Sequence, residues 1–181
     1  FHKLLKQLID LEKQFPNLKN DHSPTQRVGG TISKSFQTVA HRYPMLSLGN
    51  TYSQQELEDW DERVKKGLDG AKYEYFCELK FDGVSISVTY ENGILVRGVT
   101  RGDGVRGDDV TPNIRTIRSL PLRVNAKVIP EKCEVRGVVF LPREVFKQIN
   151  KEREDIGEET YANARNTASG TVKMQDSSEV A

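Results

Sequence analysis

Phe1, Leu4, Leu5, Leu8, Leu11 and Phe15 recur at helical spacing with lysine and glutamine among them, so residues 1–14 are predicted to form an amphipathic helix that stops near Pro16. The following PNLKNDHSPTQRVGG holds two prolines, a glycine pair and almost no apolar periodicity, which places a segment boundary near residue 30. A second helix is expected from an N-cap at Ser53, with Glu56 as capping-box partner, Leu57, Trp60 and Val64 on its apolar face, and a stop at Gly67. From Tyr73 the period changes to alternation, predicting an apolar strand that runs to the stretch Glu78-Leu79-Lys80-Phe81-Asp82-Gly83. Val84, Ile86, Val88 and Tyr90 then alternate with Ser85, Ser87 and Thr89, and Asn92-Gly93 supplies a two-residue turn before ILVRGVTR, the pattern of a β-hairpin. KCEVRGVVFL, residues 132–141, reads as another strand, and Pro142 suits the first position of a helix carrying Val145, Phe146 and Ile149. Helices and strands in this order lack the regular alternation of a parallel sheet, so the fold class expected is α+β with antiparallel sheet.

Composition narrows the class further. With 181 residues and 36% hydrophobic content, the chain can build one good-sized domain, or a domain with an appendage. The 27 Lys and Arg against 26 Asp and Glu leave a net charge of +1, so bulk charge is silent on a nucleic-acid partner. No apolar run is long enough to span a bilayer, and FHKLLKQLID lacks the uninterrupted apolar stretch of a signal peptide. A cytoplasmic protein with no membrane partner is expected. Cys77 and Cys133 stand in no CxxC spacing and suit apolar filler better than a disulfide framework or a zinc site. The missing initiator Met and the abrupt end at DSSEVA suggest a piece of something larger.

On a strand, Glu78, Lys80 and Asp82 would project to one face and Leu79 and Phe81 to the other, presenting a lysine between two carboxylates. Taken alone, such a triplet is as well explained by a surface ion-pair ladder. However, Lys80-Phe81-Asp82-Gly83 resembles the KxDG motif of the covalent nucleotidyltransferases, the superfamily of DNA ligases, RNA ligases and capping enzymes. The strings HSPTQRVGG (22–30), PMLSLGNTY (44–52), CELKFDG (77–83), TRGDGVRGDDVTPNIRTI (100–117), EVRGVVFLP (134–142) and ANARNTASG (162–170) resemble, in order, the NAD-dependent DNA ligases of bacteria. That resemblance implies the nucleotidyltransferase core of the ligase and capping-enzyme superfamily. Residues 1–30 would be the C-terminal part of a small helical nicotinamide-binding domain with its connector, and residues 31–181 an adenylation domain cut before its later motifs.

The resemblance also implies roles. Lys80 matches the lysine that attacks the α-phosphorus of NAD and keeps AMP as a phosphoramide, releasing nicotinamide mononucleotide; AMP then passes to the 5′-phosphate of a nick that the 3′-hydroxyl seals. A lysine amine must shed its proton to attack, which neighbouring carboxylates oppose, so nearby cations are expected to compensate: Arg101, Lys173 and bound Mg²⁺. Arg101 matches the nucleotide-contacting arginine, although a flexible glycine-rich loop with an incidental arginine would read the same way. Glu134 matches a glutamate that touches the ribose or a metal ion, which makes it the candidate Mg²⁺ ligand. Glu78, Ser47 and Leu48 match adenosine-pocket positions, Asp82 completes the KxDG motif at the nucleotide, and Arg165 matches an arginine near the reacting phosphates. Eight positions on, where many relatives carry a second arginine, stands Lys173, which keeps the charge without the bidentate fork. Ala164 replaces a familiar proline. His2, His22 and His41 have no metal-ligand spacing and are read as surface or structural histidines.

The partners implied are NAD and nicked double-stranded DNA, in DNA repair and replication, with Zn²⁺ held only by the C-terminal part of a full enzyme; a monomer is expected. The segment before Phe1 that grips nicotinamide and the later motifs after Ala181 would lie outside this chain, so the 181 residues alone are expected to be deficient. Two other readings share some of these features: an ATP-dependent covalent nucleotidyltransferase, against which HSPTQRVGG and PMLSLGNTY argue, and a nucleotide- or DNA-binding module without chemistry.

Overall fold

The computed structural model describes residues 2–20, 23–27 and 35–180. It divides into two compact units, residues 1–44 with 81–181, and residues 45–80. His22 and Val28–Lys34, which include most of the expected segment boundary, fall outside the described residues.

The larger unit opens with α1 (His2–Gln14), followed by two single 3₁₀ turns. Thr25 donates its hydroxyl to Glu12 at 2.5 Å, tying the second turn to the helix. The centre of the unit is a three-stranded antiparallel sheet, in which β2 (Val84–Glu91) lies between β3 (Ile94–Thr100) and the later β5 (Lys132–Val139). The hairpin turns at Asn92 and Gly93, φ +49° and +79°, the left-handed pair that the Asn-Gly dipeptide supplies most readily. A second, two-stranded ribbon pairs β1 (Thr38–Ala40) with β4 (Arg106–Asp108). The sheet class is therefore mixed helix and antiparallel strand, as the sequence pattern predicts.

Period-two alternation gives the central strand two different faces. Ile86, Val88 and Tyr90 are buried on one of them, forming the core with Leu95, Val110, Ile114, Leu122 and Val172. The short helix α3 (Thr111–Thr116) covers this face, and Asn113 inside it donates 2.7 Å hydrogen bonds to the carbonyls of Val172 and Met174. Those bonds fasten α5 (Ala164–Val172) to α3. Arg27 closes the other end of α3, donating to the carbonyls of Arg115, Ile117 and Leu120 at 2.9–3.1 Å. The opposite face of the sheet carries Ser87 and Thr89, facing Arg136 and Glu134 on β5 and Val99 and Arg97 on β3.

Gly83 precedes β2 where β5 crosses closest. A Cβ there would sit 2.2 Å from the Val139 backbone carbonyl oxygen and 2.7 Å from the Val138 side-chain Cγ1. The glycine of the KxDG motif is thus a packing requirement, whereas Gly137 on β5 has nothing within 4 Å. Gly83→Ala is expected to cost about 1–3 kcal/mol in urea unfolding, and Gly137→Ala a few tenths, on the usual penalty for overpacking. Equal midpoints for the two variants would show that the close approach is not tight.

In the smaller unit, Ser53 caps α2 (Gln54–Leu68), its hydroxyl accepting from the Glu56 N–H at 3.2 Å. The Glu56 carboxylate reaches back to the Tyr52 N–H at 2.6 Å, one residue earlier than a capping box would place it. The helix runs one residue past Gly67 and ends on Asp69, whose φ is +45°. Asp61 accepts the hydroxyls of Tyr73 and Tyr75 at 2.7 and 2.5 Å and pairs with Lys65 at 2.7 Å. Trp60 and Tyr75 rings meet at 5.1 Å.

Residues 71–82 carry no regular secondary structure, which corrects the strand expected from Tyr73 onward. The alternation of Tyr73 and Tyr75 places both hydroxyls on one helix carboxylate, so the pattern is used against α2 and not in a ladder. Glu78, Lys80 and Asp82 consequently do not share a strand face. Pro142 is the N-cap of α4 (Arg143–Asp155), one position before the place expected of it.

Candidate active site

The polar face of the sheet opens on a cavity of about 900 Å³ lined by, among others, His41, Ser87, Arg97, Glu134 and Arg136. Glu134 is half-buried there, with Arg136 Nε donating to it at 2.9 Å. Burial works to raise the Glu134 carboxyl, but the Arg136 guanidinium, the Ser87 hydroxyl and nearby His41 outweigh it and hold the carboxyl below its ordinary range. The carboxylate is therefore ionised at neutral pH. Glu134 and Arg136 stand two apart on one strand, the spacing that puts both side chains on one face, a signal available in EVRGVVFLP though only Glu134 was expected at the site.

Arg101 begins the turn between β3 and β4. Gly102 takes φ +57°, and a Cβ there would lie 2.0 Å from the Arg106 carbonyl oxygen, so the turn accepts only glycine. Asp103 accepts the N–H groups of Val105 and Arg106 at 2.8 and 2.7 Å, and these bonds lower its carboxyl below the usual value. The TRGDG string is thus a closed turn with Arg101 at its head, not a loose loop.

Arg165 lies in the first turn of α5, where Asn163 is the N-cap and accepts from the Asn166 N–H at 3.1 Å. Ala164 occupies the first helical position, which proline and alanine both suit, so that departure from the family string costs the helix nothing. Arg165 Nη1 reaches Asp82 at 3.3 Å, and Lys173, at the other end of the helix, reaches Asp108 at 2.8 Å. Both pairs are open to water, and exposed pairs of this kind are worth about 0–1 kcal/mol, so an arriving phosphate could take either cation at little cost. Asp82 and Asp108 are the carboxylate partners of these two cations.

Lys80, Glu78, Ser47 and Leu48 all belong to the smaller unit and are exposed. Lys80 lies in the irregular stretch whose Tyr73 and Tyr75 are anchored to α2. Among the described residues no three His, Cys, Asp or Glu side chains gather as a metal cage. Glu134 offers a single carboxylate with one oxygen engaged by Arg136, a donor set that fits Mg²⁺ only as the ion is held on substrate phosphates, with one protein carboxylate and water completing the shell.

Residues 33–181 match the model of the NAD-dependent DNA ligase adenylation domain, and residues 1–29 match that of the DNA ligase-like N-terminal NAD⁺-binding domain. The chain is 61% identical over all 181 residues to a DNA ligase of Cytophaga hutchinsonii, covering 27% of that protein. It is 57% identical over 177 residues to a DNA ligase of Christiangramia forsetii, with 98% of the chain and 26% of the relative covered. To a DNA ligase of Phocaeicola vulgatus it is 54% identical over 181 residues, again 27% of the relative. The chain spans about a quarter of the length of the curated relatives it matches.

Proposed function

Because the chain belongs to the NAD-dependent DNA ligase family, we propose that its residues supply the adenylation step of a full-length ligase acting on nicked double-stranded DNA. The observation that carries this reading is the match of residues 33–181 to the adenylation domain. The Nζ lone pair of Lys80 attacks the α-phosphorus of NAD, a P–N bond forms, the pyrophosphate P–O bond breaks, and nicotinamide mononucleotide departs while the amine proton passes to solvent. A 5′-phosphate oxygen at the nick then takes the adenylyl group, and attack by the 3′-hydroxyl releases AMP.

The remaining residues bind and orient. Arg101, Arg165 and Lys173 draw the phosphates, where preorganised cations act most strongly on developing charge. Glu134 holds the ribose or, with the phosphates, Mg²⁺, which would supply neutralisation of phosphate charge. Glu78, Ser47 and Leu48 contact the adenosine, and Asp82 orients Arg165. On this reading the chain is part of a covalent nucleotidyltransferase that works in the cytoplasm in DNA repair and replication.

The test is intact-protein mass spectrometry after incubation with Mg²⁺ and either NAD or ATP, on the 181 residues and on the full-length protein. The full-length protein is expected to gain one adenylyl group from NAD and not from ATP. The 181 residues alone are expected to gain it at least about tenfold more slowly, since positioning of the leaving group carries several kcal/mol of the barrier. Uptake from ATP in place of NAD would favour the ATP-dependent reading, and uptake from neither would favour a binding module.

A further inference from the structure

His41, read from the sequence as a structural histidine, follows β1 directly and brackets the Arg101 turn from both ends. Its backbone N–H donates to the Val105 carbonyl at 2.9 Å, and its ring Nε2 lies 3.1 Å from the Arg101 carbonyl. A carbonyl oxygen only accepts, so Nε2 carries the proton of that bond. The Arg101 carbonyl also accepts from the Gly104 N–H at 3.0 Å, and the Arg101 N–H donates to Ser85 at 3.1 Å. The backbone of Arg101 is thereby fixed to the turn, to the central sheet and, through the imidazole, to the segment 41–44.

That segment is fixed in its turn. Arg136 donates to the carbonyls of Tyr43 and Pro44 at 2.5 and 2.8 Å while its Nε holds Glu134 at 2.9 Å. The imidazole is therefore the side-chain link in a chain of contacts that runs from the Arg101 backbone through residues 41–44 and Arg136 to the Glu134 carboxylate, along the wall of the cavity. We propose that His41 is a positioning residue for adenylylation, holding Arg101 in one frame with Glu134 through its Nε2–H bond to the Arg101 carbonyl. This rests on the adenylation reading above.

The experiment measures the single-turnover rate of AMP uptake from NAD by the full-length protein and its variants, with melting followed in parallel. His41→Phe keeps ring volume and removes the donor, and His41→Gln restores an N–H of similar reach. Loss of one hydrogen bond that orients a charged contact is expected to slow His41→Phe about tenfold, with His41→Gln within about threefold of wild type. If His41 acts through Arg101, His41→Phe should add less than about twofold in an Arg101→Ala background, because coupled residues are not additive. Wild-type rates for His41→Phe at a temperature where it is folded, or losses that multiply independently with those of Arg101→Ala, overturn the inference alone. A wild-type protein that takes up no AMP from NAD overturns the adenylation reading and this inference with it.

Discussion

Lys80→Ala is expected to abolish AMP uptake and nick sealing by the full-length protein, a loss on the order of a thousandfold or more, while leaving its melting within about 0.5 kcal/mol of wild type. The two halves of that expectation have separate causes. Lys80 is exposed and sits in a stretch with no ladder, so its side chain stabilises no core. Its amine, however, is the only atom of the KxDG motif able to form the P–N bond. Lys80→Arg should fail equally, because a guanidinium retains the charge but does not lose its proton in proteins and is no nucleophile. These outcomes are read in a gel-based sealing assay alongside adduct mass. Substantial sealing by either variant would mean that another residue carries the adenylyl group.

Arg101→Ala is expected to slow AMP uptake about ten- to a hundredfold relative to Arg118→Ala, on the worth of one charge-assisted phosphate contact, about 1.5–3 kcal/mol. Both are arginines of the larger unit, so the two variants lose the same charge. Arg118 is exposed just beyond α3. Arg101 is half-buried at the head of a turn whose geometry Gly102, Asp103 and His41 all constrain. A turn built this tightly is a poor choice for an incidental surface arginine and a good one for a residue that must meet a phosphate. Equal rates for the two variants, measured by rapid-quench adduct formation, would remove Arg101 from the site.

Where local chemistry decides structure, the sequence reading holds. Asn92-Gly93 has left-handed φ values at both turn positions, and Ser53 caps α2 through the Glu56 N–H, because each outcome depends on residues within a few positions of the signal. The strand read at Tyr73 fails for the converse reason. Alternation records only that side chains fall on two sides, and here Tyr73 and Tyr75 turn to a carboxylate on α2, a tertiary partner that no local pattern reveals. The helices α3 and α5 escaped notice because neither shows periodicity: α3 is six residues long, and in α5 only Ala168 and Val172 are buried.

The sequence names candidate site residues one at a time and does not show how they pair. Family strings single out Asp82, Arg165, Lys173 and Glu134, but the pairs Asp82–Arg165 and Asp108–Lys173 depend on where α5 meets the rest of the unit, whereas Glu134–Arg136 is local to β5. Asp82 and Arg165 are 83 positions apart in the chain, beyond any spacing rule. The alternation of Ser85, Ser87 and Thr89 against Val84, Ile86, Val88 and Tyr90 marked two sheet faces, and the polar one proves to border the cavity that holds Glu134.

The covalent acceptor itself is the point on which everything else turns. Incubating the full-length protein with NAD and Mg²⁺, digesting it and mapping the added adenylyl mass by tandem mass spectrometry tests it directly. The predicted result is a single adenylyl group on Lys80 within the CELKFDG peptide; an adduct confined to another lysine, or none from NAD, would contradict the account.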